Sequence, residues 1–130
     1  MKFIIACATD DSITFVDRHF GDANHYNIYE LSPEGHVFIG VVHNTTEGEE
    51  MHADPKKAKG ISQMLKSKNV HVVMAKVFGP NIKRIRKIFV SVVSQEQTII
   101  DAMNVLLTEF ELLEKTSNDG EKRAIVKLSH

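Results

Sequence analysis

Cysteine is almost missing from this 130-residue chain. Cys7 stands alone, so no internal disulfide can form, and without a C-x-x-C spacing there is no thiolate-rich zinc or iron–sulfur site. A reducing, cytoplasmic setting is the expectation that follows. An excess of one charge is missing too. With 16 Lys and Arg against 17 Asp and Glu, the net charge is −1, which argues against nucleic-acid binding by bulk electrostatics but leaves room for a local basic patch. No apolar run is long enough to span a membrane. The opening stretch carries Ala6-Cys7-Ala8, which resembles the small-residue cleavage pattern of a signal peptide, but the apolar run before it is too short for one.

What is present fits one globular domain with a core: 42% of the residues are apolar and 25% charged. The organising stretch is 70–82, VHVVMAKVFGPNI. Val70, Val72, Val73, Met74 and Ala75 are too continuously apolar for a half-wet strand and predict a strand buried on both faces. Gly79-Pro80 then opens a helix, with Pro80 at its first position, where a missing N–H costs nothing. The loop 76–79 is thus placed at the carboxyl end of a central strand, the edge at which open α/β sheets bind ligands.

In chain order, residues 2–8 predict another central strand, and 9–21 an irregular loop with room for function. Residues 24–31 and 36–43 predict an antiparallel hairpin around the turn residues Ser32-Pro33-Glu34-Gly35. A polar, acidic loop follows and ends at Asp54-Pro55, a helix cap and first helical residue. The helix it starts faces inward through Ala58, Ile61, Met64 and Leu65 and ends near Lys68-Asn69. Residues 88–93 predict a third parallel strand. Ser94 and Gln97 have the form of a capping box, after which Ile99, Met103, Leu106, Phe110 and Leu113 mark one long helix. Residues 123–129 are compatible with a late strand or a loose tail. The order implies a three-layer α/β arrangement of ribonuclease-H-like type, a mixed five-stranded sheet with helices on both faces.

These motifs resemble the dinitrogenase iron-molybdenum-cofactor-binding family, which includes NifX-like carriers. The resemblance covers residues 1–107 and is carried by His19-Phe20-Gly21 with Ala23 and Tyr26, by Asn69-Val70-His71-Val72-Val73-Met74-Ala75 leading to Gly79-Pro80-Asn81, and by a last helix at 98–106. It implies a ribonuclease-H-like fold and a non-enzymatic role in holding or delivering an iron–sulfur or iron–molybdenum cluster, with a cluster donor or acceptor protein as partner. Where the family has paired glycines before Gly-Pro, this chain has Lys76-Val77-Phe78. Its glycine- and histidine-rich run is here reduced to Gly48, His52 and Gly60. Residues 108–130 have no counterpart and are expected to form a C-terminal helix extension and tail.

The expected site joins His19, Phe20 and Gly21 to Lys76, Phe78, Gly79, Pro80 and Asn81, with His19 as metal ligand. The alternative for His19 is a loop histidine bonded to backbone. His52, flanked by Glu49, Glu50 and Asp54, suits a hard or borderline metal but equally a solvated acidic loop. His43 ends a strand without favouring either rim, and His25, His36 and His71 are expected to be structural. Cys7 could supply a thiolate or act as a small buried hydrophobe. The basic face of Lys83, Arg84, Arg86 and Lys87 could meet a polyanion or an acidic partner, or simply be solvated. A two-metal nuclease would need an acid at the end of the central strand beside Asp10 and Asp11, and Met74-Ala75-Lys76 offers none. The alternative function is a metal-free regulatory domain binding a small anion or nucleotide at the Gly79-Pro80 helix start.

Overall fold

The computed structural model describes residues 1–44 and 55–128, with the side chains of 55–59 left aside. Its strands are β1 (Phe3–Thr9), β2 (His25–Ser32), β3 (Gly35–His43), β4 (Val72–Ala75), β5 (Val90–Val93) and β6 (Val126–Lys127). The helices are α1 (Pro55–Lys66), α2 (Ile82–Ile88), α3 (Ile99–Thr108) and α4 (Phe110–Asn118). The strands form one sheet in the order β3-β2-β1-β4-β5-β6. β1, β4, β5 and β6 run parallel, while β2 is antiparallel to both β1 and β3.

Both faces of the central strands are dry because their alternate residues feed two separate cores, whereas β3 is largely exposed. Phe3, Ile5, Cys7, Val72, Met74, Val90 and Val92 pack with α3 and α4 through Ile99, Met103, Leu106, Phe110 and Leu113. Ala6, Ala8, Val73 and Ala75 face the other way, with Ile61 and Leu65 of α1 and Ile85 of α2. α1 closes as lysine-rich helices do, and Asn69 takes the left-handed conformation (φ 61°) in which an asparagine is tolerated. Val70 N–H then bonds to Leu65 C=O at 3.2 Å and sends the chain into β4.

The five-stranded ribonuclease-H-like arrangement expected from the sequence is corrected by a mixed six-stranded sheet with four helices. The added strand is β6, in which Val126 pairs with Val92 and Lys127 with Val93. With five strands β5 would have been an edge, at odds with its apolar character. β6 covers that edge, and Val126 and Leu128 are buried behind it. Two residues are too few to show an alternating period, so this strand had no sequence signature. The tail is also tied to α2. Arg86 donates to the carbonyls of Glu121 and Arg123 at 3.2 and 3.4 Å, and Arg123 donates back to Arg86 C=O at 2.9 Å.

The single long helix is also corrected. Glu109 (φ −107°, ψ 25°) interrupts it, yet Met103, Leu106, Phe110 and Leu113 on either side all stay buried. The apolar spacing therefore marks the correct inward residues, and the break re-aims α4 so that Phe110 meets Phe3 at 5.4 Å between ring centroids. Nor does Ser94 cap this helix. Thr98 does, accepting from Asp101 N–H at 3.2 Å, while Ser94 accepts from Glu96 N–H in the preceding loop.

If the tail completes the sheet, Leu128→Ala should cost about 2–5 kcal/mol, the usual range for a buried leucine. The exposed Lys127→Ala should stay within about 0.5 kcal/mol. Urea denaturation of both variants checks this; equal, small effects would show that the tail merely lies against the sheet.

Candidate functional site

The chain leaves β1 at the carboxyl edge and folds back over it. Val16 N–H bonds to Ala8 C=O at 3.3 Å, Phe15 N–H to Gln97 C=O at 3.3 Å, and Ile99 N–H to Ile13 C=O at 2.9 Å, so the loop spans from β1 to the start of α3. Two carboxylates shape it. Asp11 accepts from Thr14 N–H at 2.7 Å, Ile13 N–H at 2.9 Å and the Thr14 hydroxyl at 2.8 Å. These bonds, the Thr14 amide foremost, hold its pKa down at about 2, against an ordinary 3.8. Asp10 accepts from Asn24 N–H at 2.8 Å and forms an ion pair with Arg18 at 2.8 Å. Both acids are thus engaged in loop geometry.

The loop next delivers the aromatic that fixes its far end. Phe20 is fully buried between Phe78, stacked at 5.1 Å and 22°, and Tyr26 at 4.9 Å. Tyr26 donates its hydroxyl to Phe20 C=O at 2.8 Å. The small Ala6, Ala8 and Ala75 on this sheet face leave room for the three rings. Phe20 and Phe78 are therefore both buried in the core, Phe78 directly behind the loop that carries Gly79.

His19, next to Phe20, lands on Gly79. A Cβ built on Gly79 would stand 2.5 Å from His19 Nδ1 and 2.7 Å from its Cγ, so only glycine permits this approach. Gly79 also has φ +77°, a conformation that glycine adopts without strain. The two halves of the expected site, 19–21 and 76–81, therefore meet. Gly21 is half-buried, and its carbonyl accepts from Asn44 Nδ2 at 3.0 Å.

Lys76, at the end of β4, reaches Gln97 Oε1 at 2.9 Å and Asp17 Oδ1 at 3.5 Å. Sequence reasoning missed both partners: Gln97 was taken by the capping-box pattern, and Asp17 stood in a stretch without period. Pro80 and Asn81 form a turn, and α2 begins at Ile82, two residues later than expected. The turn uses amides that were to face a ligand. Ile82 N–H bonds to Gly79 C=O at 3.1 Å, and the N–H groups of Arg84 and Ile85 both go to Asn81 C=O at 3.0 Å.

The other candidates fall elsewhere. Cys7 is fully buried in the α3/α4 core, and burial pushes its thiol far above the ordinary range, so it is a packed hydrophobe. His71 Nδ1 accepts from Ile4 N–H at 3.0 Å, and His36 Nε2 bonds to Asn104 at 2.8 Å. His52 and its acidic neighbours lie outside the described residues. Among the described residues no three His, Cys, Asp or Glu side chains converge as a metal site, and no helix is long and apolar enough to cross a membrane.

The fold is an α/β domain whose carboxyl edge is covered by a loop. The chain belongs to the dinitrogenase iron-molybdenum cofactor family, whose profile matches residues 1–109. The family places it in metallocluster biogenesis in a non-enzymatic role. No curated protein matches it.

Two measurements test this geometry. Gly79→Ala should lose about 1–2 kcal/mol from the left-handed backbone alone, plus a further loss from collision with His19. In a His19→Ala background the collision is removed, so adding the alanine at 79 should cost less there than in the native chain. Equal costs in both backgrounds would separate His19 from Gly79. The second concerns acid. Because the Asp11 pKa is lowered on folding, its stabilising contribution is complete above pH about 4 and disappears as pH falls through about 2. Asp11→Asn should be less stable than the native chain at neutral pH, and the gap should close between pH 4 and 2 in urea titrations.

Proposed function

We propose that the chain holds a preformed nitrogenase-type metal–sulfur cluster as cargo at the carboxyl edge of β1 and β4, releases it to a partner protein, and catalyses nothing by itself. The observation that carries the reading is the meeting of His19 with Gly79 in a member of this family. The cluster brings its own sulfides and most of its internal bonds, so the protein has to supply only a point of attachment and a counter-charge.

The residues on hand suit that limited task. Cys7 is out of reach inside the core, so thiolate wrapping is excluded, and His19 offers an imidazole nitrogen able to make a bond to iron or molybdenum. Lys76 supplies positive charge. Its pairing with Asp17, whose side chain is 85% exposed, is a surface ion pair worth about 0–1 kcal/mol, so an anionic cluster could take the ammonium over at little cost. One ligand bond and one exchangeable charge make a hold that can be undone, which a carrier requires. Phe20 and Phe78 make the floor rigid beneath that point.

The test is anaerobic uptake of isolated cofactor, followed by metal content and visible absorption, in the native chain, His19→Ala and Lys76→Ala. Uptake should weaken roughly tenfold or more without His19, corresponding to at least about 1.4 kcal/mol, and by less without Lys76. Equal uptake in the native chain and His19→Ala would remove His19 from the site. No uptake by any of the three would defeat the cluster reading.

A further inference from the structure

His25 and His43 are directly paired residues on neighbouring antiparallel strands, so their side chains share one face of the sheet. Thr9, the last residue of β1, pairs with His25 in the same row. The two imidazoles therefore stand at the carboxyl edge, toward the β3 side of the sheet and away from Lys76 and Gly79. Their ring centroids are 6.0 Å apart at an interplanar angle of 60°.

That separation has a chemical meaning. A Zn–N bond is about 2.0–2.1 Å and a ring centroid lies about 1.1 Å behind its nitrogen, so two imidazoles on one ion have centroids roughly 5.2 Å apart at a tetrahedral angle and about 6.4 Å when opposed. The observed spacing falls inside that span. The His25 ring is also held in the way of a metal-ligating histidine. The Ser12 hydroxyl contacts His25 Nε2 at 2.7 Å and Asn27 Oδ1 at 3.3 Å. Asn27 Nδ2 in turn donates to Ser12 C=O at 3.1 Å, and Ser12 itself is locked at φ 67°. With Nε2 engaged by Ser12, Nδ1 is the ring nitrogen left for an ion, the arrangement in which an outer hydrogen bond orients a ligand. His43 is exposed, and among the described residues its ring meets only that of His25. His36, in β3, and His71, just before β4, differ in having no histidine ring against them among the described residues.

We propose that His25 and His43 form a two-histidine site for a late first-row divalent cation, Zn(II) or Cu(II), with the remaining positions filled by water. Imidazole suits these ions, and two protein ligands leave the site open and exchangeable. The site is separate from the cluster edge at His19 and does not depend on cluster binding.

Chelator-treated full-length protein is titrated with Zn(II) by calorimetry and with Cu(II) by electron paramagnetic resonance. The native chain should bind one ion through this pair, with nitrogen hyperfine structure from two imidazoles on Cu(II). His43→Ala, an exposed position that should leave the fold intact, should weaken Zn(II) at least tenfold and remove one nitrogen from the Cu(II) signal. His25→Ala should do the same, and His36→Ala and His71→Ala should change neither. Unchanged affinity in His43→Ala, loss of binding in the His36 or His71 variants, or failure of the native chain to bind either ion in the micromolar range would overturn the proposal. Because the readout uses free ions and leaves His19 in place, it can fail while cluster uptake succeeds, and the reverse.

Discussion

From Ile5 onward β1 has no side that meets solvent. Ile5, Ala6, Cys7, Ala8 and Thr9 are all fully buried, and the rest of the fold answers that constraint. A strand dry on both faces needs helices above and below, and its backbone groups need a neighbour on each flank. β2 supplies one by antiparallel pairing and β4 the other in parallel. A parallel neighbour cannot be reached by a tight turn, so a crossover must intervene, and α1 lies in that connection. The alternation within β1 also decides the two layers. Odd positions build the α3/α4 core, while the small Ala6 and Ala8 leave a shallow place on the other face.

That shallow place determines where the functional edge is. Phe20, Phe78 and Tyr26 fill it, and aromatic pairs of this kind add about 0.5–1.5 kcal/mol beyond their burial. Phe20 comes from the loop after β1 and Phe78 from the loop after β4, so stacking them draws the two loops together. The neighbouring residues have little freedom left, and His19 is laid on Gly79. Lys76, at the mouth of the same loop, finds Asp17 and Gln97. The edge is chemically sparse because its carboxylates are used in construction: Asp10 and Asp11 spend their lone pairs on loop amides, Arg18 and Thr14.

The tail adds a constraint of its own. The family match ends at residue 109, yet Phe110, Leu113, Val126 and Leu128 belong to the same core as Phe3 and Met74. Arg86 and Arg123 bond to each other's backbone carbonyls, which joins α2 to the tail without a carboxylate between the two guanidinium groups. Part of the basic face read from Lys83, Arg84, Arg86 and Lys87 is therefore structural.

The sequence by itself determined the layers and the inward residues. The three parallel strands, the hairpin and the burial of Met103, Leu106, Phe110 and Leu113 were legible because burial imposes a period, and a period is written locally. The two loops that meet at His19 and Gly79 were visible as irregular stretches after buried strands. The rest depended on partners distant in the chain. β6 is too short to carry a pattern, the break at Glu109 leaves the apolar spacing intact, and Thr98 caps α3 in place of the expected Ser94. Phe78, expected at the site, stacks on Phe20 inside the core. His25 and His43, 18 positions apart by their numbers in the sequence, become neighbours only through strand register. Hydrogen-bond pairing and ring stacking act between residues whose separation along the chain carries no signal, so only the tertiary structure could decide them.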